Sequence, residues 1–173
     1  EEEGCQLIRF QIILFRILRR NRFRIPAMIT DEIFYRHFTL VQQENRIYAE
    51  WCKKRGISYT WLIILDTMLR AEKDIEPAML SDTLFIPRQT ITSLLDQLEK
   101  NGLTRREPHP ADRRRTRLYL TEKGHDTITA ILKELAVHED AVIDEISREE
   151  MATFNRIYSM IVEKLQKRLI HDK

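Results

Sequence analysis

The 173-residue chain carries 29 basic and 27 acidic side chains, a formal charge of +2, which excludes a protein that acts through bulk charge of one sign. Hydrophobic residues make up 43% of the chain, enough for a sizeable core in one domain or two small packed ones. Only four glycines and five prolines are present, too little turn material for many short strands, so the composition points to a mainly α protein.

Residues 1–25 begin with three acids and then set Phe10, Ile13, Leu14 and Ile17 at helical spacing among Arg9, Arg16, Arg19, Arg20, Arg22 and Arg24. This predicts a basic amphipathic helix, read either as a membrane-surface or partner-docking segment or as an extra helix packed on the domain. Its arginines interrupt the apolar run before the ~18–20 residues that a membrane span needs. There is no basic n-region or small-residue cleavage site of the secretory kind, so no leader is expected. Cys5 and Cys52 form no C-x-x-C and no zinc spacing, which suits a reducing, cytoplasmic setting. No cofactor, metal or membrane partner is expected. Pro26 and Thr30 mark the break before the next element.

From Asp31 to about Arg55, Ile33, Phe34, Leu40, Val41, Ile47, Tyr48 and Trp51 form one stripe of a long helix that Gly56 closes. Ser58 then caps a helix through Tyr59, Trp61, Leu62, Ile63, Ile64, Leu65, Met68 and Leu69, apolar almost all round and therefore central. Residues 75–102 hold two short helical patterns about three residues apart. Pro77 opens the first and Pro87 the second, positions where a missing N–H costs nothing. Ala78, Leu80 and Leu84 give the buried side of the first. Ile91, Leu94, Leu95 and Leu98 form one face of the second, and Arg88, Gln89, Thr90, Thr92 and Ser93 lie toward the other. Asn101 and Gly102 stop it.

Runs around 103–107 and 116–120 then read as strands flanking Pro108, Pro110 and Asp112, a hairpin with a long basic tip. A helix follows Thr121-Glu122-Lys123-Gly124, with Ile128, Ile131, Leu132, Leu135, Val142 and Ile146. Ser147 with Glu150 matches a capping box opening a last helix, whose stripe is Met151, Phe154, Tyr158, Ile161, Leu165 and Leu169.

Two helices joined by a tight turn, the second polar at its N-terminal end, suit a DNA major groove, where Arg and Gln side chains can fork onto base edges. The same pattern also occurs among ordinary packed helices. The hairpin adds weight: between Lys100 and Arg117 stand seven basic residues (Lys100, Arg105, Arg106, Arg113, Arg114, Arg115, Arg117) and two acids (Glu107, Asp112). Arginine is the cation favoured for phosphate and narrow minor grooves. By contrast, residues 134–150 carry seven acids and one base, Arg148, an end expected to face away from DNA.

The order helix, turn, helix, LTRRE, HPADRRRTR and LYLTEKG, in which DRR is followed by an apolar strand ending in LTxxG and the whole hairpin follows LEKNGL, resembles the MarR family of bacterial winged-helix transcription factors. The motif resemblance covers about residues 75–125, and the flanking helices extend it to about 31–170. It implies an α+β winged helix-turn-helix unit over 56–125, long dimerisation helices over 31–55 and 126–173, and an N-terminal extension over 1–30. It implies a homodimer on a pseudo-palindromic duplex operator, acting as a repressor that a small aromatic ligand releases. It places Pro87, Arg88, Gln89, Thr90, Thr92 and Ser93 in the major groove and Arg113, Arg114 and Arg115 in the wing, with Asp112 orienting Arg114. Phe85 and Pro87 depart from the family pattern, which commonly has Gly in the turn and a Ser-like cap.

His37, Trp51, Tyr59 and Trp61 are candidates to line the ligand cleft, and ordinary core aromatics explain them equally well. Cys52 has Lys53, Lys54 and Arg55 beside it, cations that lower a thiol pKa, so a redox switch and an inert helix-end cysteine are both open readings. His37, His109, His125, His138 and His171 show no metal-ligand spacing. No HExxH, P-loop, GxSxG or dinucleotide fingerprint is present, so an enzyme is not expected. The alternative function is a winged-helix module that docks its basic wing on an acidic protein partner.

Overall fold

A computed structural model of the chain describes residues 31–71 and 75–170. The amphipathic segment expected over 1–25, the break at Pro26 and Thr30, and His171 lie outside the described residues. The chain divides into two compact units, one ending at Arg55 and the other running from Gly56 onward.

The described part of the first unit is helix α1, Glu32–Lys53. Asp31 is extended, and its carboxylate accepts the Phe34 N–H at 2.8 Å, satisfying one of the orphan donors of the first turn. Glu32 at the N-terminus and Lys53 in the last turn complement the helix dipole. The exposed Arg46–Glu50 pair, one turn apart at 2.8 Å, is screened by water and adds little. Ile33, Leu40 and Ile47 are all exposed.

The second unit is built round α2, Tyr59–Arg70, capped by Ser58, whose hydroxyl accepts the Trp61 N–H at 3.1 Å. Leu62, Ile64, Leu65 and Met68 are buried on several sides of this helix, as the all-round apolar pattern demands of a central element. It packs against α3 (Pro77–Leu84), the second strand of the hairpin and α5 (Glu122–Ile143). Helix α4, Arg88–Lys100, buries Ile91, Leu95 and Leu98, one stripe at helical spacing. Pro87 stands one residue ahead of this helix rather than within its first turn. Gly102, at φ 70, takes the left-handed turn that ends α4.

Strands β1 (Thr104–His109) and β2 (Asp112–Leu120) pair antiparallel in register from Thr104 with Leu120 to Pro108 with Thr116. The strands therefore run further than the expected 103–107 and 116–120, and the long tip shrinks to Pro110 and Ala111. After Pro108 the register jumps and His109 pairs with Asp112, so Arg113, Arg114 and Arg115 bulge from the ladder without opposite partners. Pro108 has no N–H with which to continue the ladder, and the extra residues are accommodated there.

A two-stranded ribbon is marginal by itself. Here the Leu118 N–H donates to the Ile75 carbonyl at 2.8 Å, a one-residue third strand, and Leu103 and Leu118 are buried at the ribbon's base. Thr121 closes the base: its N–H donates to the Leu103 carbonyl at 3.1 Å, and its hydroxyl accepts the Gly124 N–H at 2.9 Å to start α5. Ile128, Ile131 and Leu135 of α5 are buried, whereas Val142 and Ile146 are exposed.

The last helix, α6, spans Arg148–Ile170. Ser147 and Glu150 form the reciprocal capping box, with backbone donors at 3.0 and 3.1 Å from the opposite side chains. No residue of α6 is buried, and Phe154, Ile157, Leu165 and Leu169 are exposed. Among the described residues no helix is long and apolar enough to cross a membrane.

Gly124 is buried in the first turn of α5, against the Leu103 backbone, so close that a methyl group there would overlap the Leu103 carbonyl. Gly124→Ala is expected to cost about 1–3 kcal/mol despite alanine's better helix propensity, because the obstacle is backbone and cannot swing aside. Urea unfolding checks it, and an unchanged midpoint would refute the close contact.

Candidate nucleic-acid interface

The turn between α3 and α4 is built on Ser81, which is buried. Its carbonyl accepts the Phe85 and Ile86 N–H groups, and its hydroxyl donates to the Ile86 carbonyl at 2.7 Å. This presents the N-terminal end of α4 to solvent: Pro87, Arg88, Gln89, Thr90, Thr92 and Ser93 are all exposed. The Thr92 hydroxyl donates to the Arg88 carbonyl of its own helix at 3.0 Å. Pro87 and the five residues singled out on the helix itself therefore share one accessible end, and the buried stripe behind them fixes the helix on the core.

The basic residues of the hairpin separate into different tasks. Arg106 lies against α4: its guanidinium meets Asp96 at 2.6 Å and Glu99 at 3.0 Å, and its N–H donates to Glu99 at 3.1 Å. Arg105 pairs with Glu107 and stacks over the Tyr119 ring, 4.6 Å from its centroid. Arg117 approaches His109 at 3.4 Å. Arg115 forks onto both carboxylate oxygens of Glu76, with Nε at 2.9 Å from Oε2 and Nη2 on Oε1. Arg114 is exposed, and its guanidinium has no ion-pair partner among the described residues. The Arg113 side chain lies outside the described residues. Asp112 accepts the Arg114 backbone N–H at 3.0 Å, so its hold on Arg114 runs through the main chain.

Glu76 is the residue that sequence reasoning missed. It precedes Pro77 at the start of α3 and faces Arg115 from 39 positions away, a separation that no local pattern reveals. The hydrogen bonds from Arg115 are the main reason its carboxyl is held below the usual carboxylate range, with partial shielding from water opposing them. Next to it, the Ile75 carbonyl takes the Leu118 N–H, so one dipeptide ahead of α3 grips β2 through backbone and side chain together.

The four ligand candidates are divided between the units: His37 and Trp51 belong to the first, Tyr59 and Trp61 to the second. All four are half-buried. His37 lies 6.0 Å from the Phe34 ring, and Arg55 stacks on Trp51 at 3.5 Å from its centroid. Cys52 is buried. That burial pushes its thiol pKa up and Arg55 opposes only in part, so the lowering expected from Lys53, Lys54 and Arg55 does not win. Among the described residues no His, Cys, Asp and Glu cluster could hold a metal ion.

Because the folded state depresses the Glu76 pKa, its contribution to stability is full above the ordinary carboxylate value of about 4.3 and fades as pH falls through the lower folded value. The stability gap between wild type and Glu76→Gln should be constant from about pH 7 to 5 and shrink below about pH 4. A gap that does not change with pH, measured by urea unfolding, would count against the Arg115 fork. For Cys52, a Cys5→Ser chain should react with a thiol reagent at pH 8 at least about tenfold more slowly when native than when unfolded. Equal rates would show the thiol to be accessible.

Comparison with known proteins places this geometry. The family model described as "MarR family" matches residues 55–115. The chain is 31% identical over 124 residues to the transcriptional repressor MprA of Escherichia coli K12, covering 70% of this chain and 68% of that protein. It is 30% identical over 140 residues to the HTH-type transcriptional regulator SarZ of Staphylococcus epidermidis, covering 81% and 88%. The fold matches the Staphylococcus aureus MepR–DNA complex structure with a TM-score of 0.70 at 18% identity, over 79% of this chain and 99% of that one. On its sequence relatives and its winged-helix fold, the chain belongs to the MarR family.

Proposed function

We propose that this chain is a sequence-specific, homodimeric DNA-binding repressor that a small aromatic ligand releases from its operator. The observation that carries the reading is the pairing, on one compact unit, of an exposed polar helix end at residues 87–93 with an exposed Arg114 held in a bulge of a firmly anchored wing. A helix end of that composition suits base edges in a major groove, and a guanidinium at a ribbon tip suits the adjacent minor groove or phosphates. Family membership supports it, as does the DNA-bound state of the MepR structure that shares the fold.

In this reading Arg88, Gln89, Thr90, Thr92 and Ser93 read or flank bases, and Pro87 fixes the entry of the helix. Arg113 and Arg114 reach DNA from the wing, Asp112 orders the backbone under Arg114, and Arg115 sets the wing's angle through Glu76. The second copy is supplied by the helices outside the winged unit. In α6 no residue is buried and a stripe containing Phe154, Ile157 and Leu165 faces solvent, and α1 exposes Ile33, Leu40 and Ile47. Such stripes are covered when identical helices meet across a two-fold axis, which calls for half-sites about one helical turn apart. His37 and Trp51 in the first unit, and Tyr59 and Trp61 in the second, are each taken by themselves as candidate aromatic contacts for the ligand.

Selection of duplexes from a randomised pool, followed by a salt titration of the enriched sequence, tests this. The expected result is a pseudo-palindrome bound by two chains, with affinity falling steeply as salt rises. Arg114→Ala should weaken binding at least about tenfold and reduce the salt slope by about 2, one contact from each of the two chains. No enriched sequence, or an unchanged affinity and slope in Arg114→Ala, would overturn the reading.

A further inference from the structure

Phe85 ends α3 with φ 54 and ψ 33, in the left-handed region, where a Cβ crowds the following carbonyl and where glycine or asparagine is the usual occupant. It is the non-glycine residue with positive φ among the described residues. A bulky aromatic at such a position ordinarily recovers the conformational cost by burying its ring. Phe85 does not: it is 92% exposed. Neither local conformation nor packing among the described residues accounts for an aromatic residue here.

Its surroundings show what could. The turn is held by Ser81, whose hydroxyl and carbonyl both engage it, so the ring is presented from a fixed backbone. Two residues further on begins the exposed series Pro87, Arg88, Gln89 and Thr90 at the head of α4. The ring and that helix end are thus both open to solvent within a few residues of each other.

We propose that Phe85 is a DNA-contact residue whose ring packs on an apolar face of the duplex beside α4, either a thymine methyl group or a deoxyribose. The inference rests on the DNA-binding reading above. A duplex offers few other apolar surfaces to a side chain at the groove, and the thymine methyl is the one that carries sequence information. A rigidly presented, solvated ring gains the full burial of its face on contact, with little ordering of its backbone left to do.

The test uses the full chain, Phe85→Asn, and the duplex that wild type selects from a randomised pool. Asparagine tolerates the left-handed backbone and removes the ring. The expected result is affinity weakened about tenfold, with an unchanged salt slope and a Tm no lower than that of wild type. Replacing thymine by uracil in the duplex separates the two faces. If wild type loses affinity and Phe85→Asn is indifferent, the ring sits on the methyl; if both respond alike, it sits on the sugar. Wild-type affinity in Phe85→Asn overturns the proposal while leaving the DNA-binding reading intact. A Tm that falls along with the affinity would make the ring structural and also overturn it. Failure of wild type to enrich any sequence would remove both.

Discussion

The hydrogen bond from the Leu118 N–H to the Ile75 carbonyl makes the hairpin part of the domain instead of an appendage. A ribbon of two strands does not hold its own shape in water, and its angle to neighbouring helices is free unless something outside the ribbon takes up its unpaired edge. Ile75 takes up that edge at one point. The adjacent Glu76 adds a two-pronged ion pair with Arg115, and on the other strand Arg106 reaches Asp96 and Glu99 of α4. The wing is thereby tied to the start of α3 and the exposed flank of α4, the two helices whose junction presents residues 87–93.

These ties change how the local charge is to be understood. The stretch from Lys100 to Arg117 is strongly basic by count, yet Arg105, Arg106 and Arg115 are engaged with carboxylates. Their positive charge is largely answered within the chain. Arg106 and Arg115 hold the hairpin against α4 and Glu76, Arg105 stays within the hairpin, and Arg114 beside them is exposed. Arg114 itself stays exposed because Pro108 interrupts the ladder and the surplus residues bulge outward. Placement of a few cations, and not their total, is what such a surface offers to a partner, in keeping with a chain whose overall charge is only +2.

The outer helices pose a different energetic problem. A helix of 23 residues with no buried side chain draws little support from packing on the described residues, and a capping box at one end does not make up for it. Its apolar stripe is left uncovered by the described residues. Helix α1 shows the same exposure at Ile33 and Ile47. The second unit, by comparison, closes its own core around Ile64, Leu65, Ile91, Leu95, Leu98 and Ile128.

Helix boundaries were legible in the sequence because their causes are local. Asp31, Ser58, Thr121 and Ser147 each cap a donor three residues away, and that spacing is visible in the letters alone. The buried stripes of α2, α4 and α5 follow equally from helical spacing, and the motifs of the turn and wing were enough to suggest the family. The hairpin's true length was not legible, since a ladder depends on pairing across the turn and one proline can displace its register. Nor was the division of labour among neighbouring arginines: Arg114 and Arg115 are adjacent and chemically identical, and only the arrival of Glu76 from 39 residues away distinguishes them. Cys52 makes the same point, its cationic sequence neighbours being outweighed by burial. Sequence determined what contacts within about four residues can enforce; the tertiary structure decided which charges are answered and which groups lose their water, because both depend on distances through space and not along the chain.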